Sequence, residues 1–229
     1  MKYSPTFLVV AMLTLFSCQN NLDKEESTSF ERILTDTTNN YRAKWDLDQI
    51  KHYNSICKEI GLNSLYNGVD SFEIRAWDQT SFFGMGADEN IYSIKFSDTL
   101  VSFTFYRIFC KHGSYDNESY KIWDAFTEAK VDSFTAISKT FPTSIIDSLN
   151  FQELWNLKSQ SALGIPENIA FADGSTTSIE LATKTKYKLI RHHVAYAYFD
   201  KTKIQSIKDY MVAHDKIIRI FQTNKMYNN

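Results

Sequence analysis

The stretch from Ile169 to Phe199, IAFADGSTTSIELATKTKYKLIRHHVAYAYF, decides the fold. Residues 176–182 are β-branched at the start and alternate through Ile179, Glu180 and Leu181, the two-residue period of a strand. Asp173-Gly174 just before them suits a type I′ turn, which predicts a hairpin with a preceding strand over 169–172. A second turn at 183–186 leads into a longer strand over 187–198. Asp200 then stands where a helix N-cap belongs, and Ile204, Ile207, Met211, His214, Ile218 and Phe221 line one side of a C-terminal helix.

Upstream, Leu47, Ile50, Tyr53, Cys57 and Ile60 recur at helical spacing, with Asp46 or Asp48 to cap the start and Gly61 past the end. Residues 71–78 place Phe72, Ile74 and Ala76 on one side and Glu73, Arg75 and Trp77 on the other, which predicts a half-exposed strand. Two further strands, 90–96 and 100–110, follow the Gly84-Met85-Gly86 loop and complete an antiparallel meander. Helical residue types over 122–131 give way to a strand pattern over 131–141, ended by Pro142. Ile146, Leu149, Leu154 and Leu157 then predict a helix over 143–157, and Pro166 marks its exit. The order predicts an α+β class: an antiparallel sheet of about five to seven strands with helices on one face. A single domain over 43–229 is long enough to bury its own core.

The N-terminus has a different composition. Lys2 precedes an apolar run from Phe7 to Phe16, too short for the roughly twenty residues that span a bilayer and laid out as a secretory signal over 1–17. Leu15, Ser17 and Cys18 resemble the lipobox of bacterial lipoprotein precursors, with Phe16 as a departure from the usual pattern. That resemblance implies a diacylglyceryl group on the Cys18 thiol, cleavage before it, and a membrane partner reached through lipid. Residues 18–42 hold too few large apolar groups to order themselves and read as a tether. Within it, Lys24-Glu25-Glu26 resembles the acidic export signal of some Bacteroidota lipoproteins, which implies an outer-membrane location on the periplasmic or surface-exposed side. Asp173-Gly174, Glu180 and Tyr187-Lys188 ahead of a terminal helix are similar to uncharacterised Bacteroidota envelope lipoproteins, a likeness that implies no activity.

Without Lys2, 24 basic residues stand against 27 acidic ones, a balance that does not point to nucleic acid. Beyond Cys18 the chain has two cysteines, Cys57 and Cys110, readable as one disulfide of an oxidising compartment or as two buried thiols. Arg191-His192-His193 is the best polar cluster on an expected strand, with Glu180 as a carboxylate neighbour. Adjacent histidines on a strand point to opposite faces, so the pair does not suit one metal ion. Ser55 and Lys58 match the S-x-x-K spacing of serine acyl enzymes without the partner motifs that chemistry requires. The Gly84 to Asn90 stretch lacks the acidic spacing of a calcium loop. Asp36-Thr37-Thr38 resembles a Bacteroidota O-glycosylation acceptor, making Thr37 a candidate modification site.

No cofactor, metal or catalytic residue is expected from these motifs. The leading expectation is an envelope-anchored binding or accessory module for an envelope protein or extracellular ligand. Its alternatives are a small envelope hydrolase whose site assembles only on folding, and an inhibitor or immunity-type protein.

Overall fold

The computed structural model describes residues 29–35, 40–79, 88–113, 121, 124–172 and 174–227. Within them β1 (Glu31–Ile33), β2 (Glu73–Gln79), β3 (Glu89–Phe96), β4 (Leu100–Cys110), β5 (Val131–Pro142), β6 (Thr176–Ala182) and β7 (Lys186–His193) form one sheet. The α-helices are α1 (Tyr41–Glu59), α2 (Phe151–Asn156), α3 (Ala195–Thr202) and α4 (Gln205–Thr223). The spatial order of strands is β1-β7-β6-β2-β3-β4-β5. Every pairing is antiparallel except β1 on β7, which is parallel, so the sheet is mixed at that edge.

The α+β class, the meander β2-β3-β4 and a strand at β5 agree with the sequence reading, and the structure adds β5 to the meander as the antiparallel neighbour of β4. The β6–β7 hairpin forms through the turn at 183–186, where the Thr183 hydroxyl accepts from the backbone N–H groups of Thr185 (3.3 Å) and Lys186 (3.0 Å). Residues 169–172 carry no strand, so the hairpin expected through Asp173-Gly174 does not form there; Asp173 itself lies outside the described residues. Gly174 serves a corner. Its φ is +137°, and a Cβ on it would stand 2.1 Å from Cγ1 of Val194, itself held at φ +41° where β7 turns into α3.

Helices pack on both faces, not one. Ile74, Ala76, Ile179, Leu181 and Ile190 join Tyr210, Ile217 and Phe221 of α4 in one core. Trp77, Tyr187 and Leu189 join Ile50, Tyr53, Ile56 and Cys57 of α1 in the other. Consequently β2 is buried on both sides rather than half-exposed: Glu73 and Arg75, which the alternation assigns to solvent, lie beneath α1 at 5% and 1% exposure.

Several boundaries move for local reasons. Asn40, not Asp46 or Asp48, caps α1, its side chain accepting from the N–H groups of Arg42 and Ala43, and Asp46 is buried within the helix. Since β1 and the start of α1 precede residue 43, the ordered chain reaches into the segment expected to be tether. The helix expected over 143–157 is two pieces, a short 3-10 turn at Thr143–Ile146 and α2 capped by Asn150. The helical types over 122–131 supply only the turn Asp124–Phe126 among the described residues. β7 stops at His193, and Asp200 is inside α3, paired with Lys203 at 2.6 Å, instead of capping α4. Cys18, Thr37, the 1–17 leader and Gly84-Met85-Gly86 lie outside the described residues.

Candidate functional site

The polar cluster expected on one strand divides between the two faces of the sheet. Glu180 and Arg191 point toward α1, whereas His192 points toward α4, where its ring stacks on Tyr210 at 4.0 Å between centroids. His192 Nε2 donates to the Lys158 carbonyl at 2.9 Å, and burial pulls its pKa down to about 4, so it is neutral at pH 7. His193 Nδ1 meets the Thr176 hydroxyl at 3.1 Å, and its backbone N–H donates to Gln160 Oε1 at 2.9 Å. Neither histidine joins Glu180.

Glu180 instead accepts from Trp77 Nε1 at 2.7 Å and from the Tyr187 hydroxyl at 2.8 Å. Burial raises its carboxyl above the ordinary value, and Arg75 with these two donors opposes the rise. One strand away, Arg75 Nε donates to Glu73 Oε1 at 2.7 Å, Ser93 Oγ donates to the same oxygen at 2.9 Å, and Arg75 Nη1 reaches Cys57 Sγ at 3.4 Å. Above them the Tyr53 ring lies flat on Trp77, centroids 3.8 Å apart and planes 13° from parallel, with its hydroxyl donating to Ser178 Oγ at 2.8 Å. Arg191 Nε donates to Gln49 Oε1 at 3.2 Å and its Nη1 lies 4.0 Å from Asp46, which Ser161 also engages. Distant segments thus converge on one buried polar layer between α1 and the sheet.

The far end of this layer holds a pair with a defined protonation demand. His52 Nδ1 contacts the Ala125 carbonyl at 2.8 Å while Nε2 contacts Glu89 Oε1. A carbonyl only accepts, so Nδ1 carries a proton; a carboxylate on the other nitrogen then favours the doubly protonated ring. Burial alone would lower the His52 pKa, but attraction to Glu89 and both hydrogen bonds outweigh it and the net direction is upward. Gln79 Nε2 also donates to Glu89 Oε1, at 3.2 Å.

The sequence reasoning missed Asp46, His52, Glu73, Arg75 and Glu89 as members of this layer. For Glu73, Arg75 and Glu89 the signal was present as charged residues at the inward parity of strands, but parity reads as solvent until a second helix is known to cover it; Asp46 and His52 sit on that covering helix, α1.

The chemistry open to the layer is narrow. Asp46, His52, Glu73, Arg75, Glu89 and Glu180 are each at most 8% exposed. Cys57 and Cys110 are free thiols, not a disulfide, and burial pushes both up to about 12, which keeps them protonated and poor nucleophiles. Ser55 of the S-x-x-K match is occupied structurally: its hydroxyl donates to the His52 carbonyl and accepts from the Ala129 N–H, both at 2.8 Å. No group of three or more metal-ligating side chains assembles among the described residues, and none of their helices is long and apolar enough to cross a membrane. A surface groove of about 470 Å³ runs between α2 and α4, lined by Asn150, Glu153, Lys158, Lys208, Asp209 and Lys216 among others; Glu180, Arg191, His192 and His193 do not line it. No protein-family model, curated protein or solved structure matches the chain.

Proposed function

We propose that this chain is a lipid-anchored, non-catalytic binding or accessory module of a bacterial outer membrane, held through Cys18 and presenting one α+β domain to an envelope protein or an extracellular ligand. The observation that supports a non-catalytic role is the engagement of the chemically capable side chains with one another beneath α1. Glu180 spends both carboxylate oxygens on Trp77 and Tyr187, and Arg75 spends its guanidinium on Glu73 and Cys57. An acid, base or nucleophile must reach a substrate atom, and side chains this enclosed do not. The lipobox-like Leu15, Ser17 and Cys18 support the anchor. Two or more acyl chains contribute roughly 0.8 kcal/mol per buried methylene, enough for stable attachment without a membrane-spanning helix.

Metabolic labelling with a palmitate analogue tests the anchor, together with protease shaving of intact cells. Label on the wild type that disappears in Cys18→Ala, with the wild type shaved from the surface, is the expected result and directs the search for partners outward. An unlabelled wild type overturns the anchor.

A further inference from the structure

The geometry points to β5 as a self-association edge: we infer that two copies of this chain pair antiparallel through β5, about a two-fold axis at Ile137, to continue one sheet across both molecules. β5 is the last strand of the sheet and is exposed on both faces from Asp132 to Thr140, with Phe134 at 43% and Ile137 at 44%. Its inner side is fully committed to β4. The Thr143 N–H donates to the Thr99 carbonyl, and the register continues through Val101↔Phe141, Phe103↔Lys139, Phe105↔Ile137 and Arg107↔Thr135. Backbone groups of successive residues alternate in direction, so odd-numbered residues here face β4 and even-numbered ones face outward. The outward N–H and C=O groups are those of Phe134, Ala136, Ser138 and Thr140; Pro142, which has no N–H, closes the row.

That row is symmetric about Ile137. A two-fold axis there sets Phe134 opposite Thr140 of the second copy and Ala136 opposite Ser138, so each outward donor meets an acceptor. Ile137 then faces its own counterpart in a non-hydrogen-bonded pair, where side chains approach closest and two exposed apolar groups cover each other. An axis at Ala136 leaves Thr140 opposite Asp132, at the end disturbed by the irregularity near Phe109 and Cys110, and uses the row less fully.

Natural edge strands are blunted by bulges, prolines or outward charges, lysine above all. The one lysine within β5, Lys139, is drawn away by its own molecule: its ammonium donates to the Asn224 and Lys225 carbonyls beyond α4, at 3.1 and 2.9 Å. The inference concerns the folded domain and does not depend on the lipid anchor. Strand pairing of this length makes a small interface beside the roughly 1,200–2,000 Å² of stable complexes, so the association is expected to depend on concentration.

Sedimentation equilibrium of the full chain in a mild non-ionic detergent, from micromolar to about 1 mM, reads the association. Ile137→Lys sets like charges opposite each other and is expected to weaken dimerisation by at least about tenfold. Ala136→Pro removes an outward N–H without touching the β4 ladder, with the same expected result and unchanged circular dichroism. Register is read by oxidation in a Cys18→Ser background. Ile137→Cys places two thiols across the axis, where Cα atoms lie about 4.5 Å apart, and is expected to form a covalent dimer; Thr135→Cys, facing residue 139, is not. A wild type that stays monomeric over the whole range, including one that captures an extended peptide of another protein instead, overturns the proposal. So does equal cross-linking at 135 and 137.

Discussion

β2 and β5 lie in one sheet with β3 and β4 between them and are held by opposite means. β2 lies between two helical layers and carries Glu73, Arg75 and Trp77 inward at 5%, 1% and 0% exposure. β5 has solvent on both faces over most of its length and is held by its ladder to β4, helped by Thr104–Ser138 at 2.9 Å and Ser102–Thr140 at 3.4 Å. Alternation therefore means different things in the two strands. In β5 hydroxyls pair across an exposed ladder; in β2 the charges meet one another, because α1 excludes water and each buried ion must find a partner or neutralise.

The sharpest way to break that contrast is Arg75→Met. It strips Glu73 of its cation and removes the charge opposing the rise of Glu180, an uncompensated burial that should cost about 3–5 kcal/mol in urea unfolding. The double variant Glu73→Met/Arg75→Met sharpens the point, since removing both ions leaves less uncompensated charge and should restore part of the loss.

pH separates the two covered faces. His192 is neutral when folded, with a pKa near 4, while the unfolded ring titrates near about 6.5. The unfolded state therefore binds the proton first, and stability falls as pH drops from about 6.5 toward 4, by about 3 kcal/mol at most. His192→Phe should remove that acid-side loss in a series of thermal melts. His52, on the opposite face, has the reverse sign. Its folded pKa lies above the ordinary value, so its contribution is complete below about pH 6.5 and is lost as pH rises through the folded value. His52→Gln should flatten the alkaline side of the same melts. An unchanged alkaline slope would mean that the His52–Glu89 pair does not carry this proton.

Smaller effects follow down the list of contacts. Tyr53→Phe leaves the stack on Trp77 in place and deprives Ser178 of its donor, which should cost about 1–2 kcal/mol. On β5, Ser138→Ala should change stability by less than about 0.5 kcal/mol, since the Thr104 hydroxyl can turn to water. A loss there as large as that at Tyr53 would erase the distinction between the covered and uncovered ends of the sheet.

The strands of the meander were legible because a two-residue period with β-branched and aromatic side chains is a local property. α1 was placed correctly by Ile50, Tyr53 and Cys57, while its cap was misjudged because Asp46 faces Ser161, a residue more than a hundred positions away. Among the expected polar residues, the opposite facing of His192 and His193 followed from strand parity, whereas the partners of Glu180 did not. Trp77 and Tyr187 become its donors only after β2 and β7 are laid on either side of β6.

By itself, then, the amino-acid order determined the period of the six strands from β2 to β7, the amphipathic stripe of α4, the close of the β6–β7 turn and the α+β class, all set within a few residues by side-chain geometry and turn chemistry; β1, three residues long within the segment read as tether, was not among them. Only the tertiary structure decided that both faces would be covered, that Glu73, Arg75, Glu89 and His52 would meet beneath α1, and that β5 would be left as an open edge. Those outcomes depend on which distant segment excludes water from which face, a condition that no local pattern encodes.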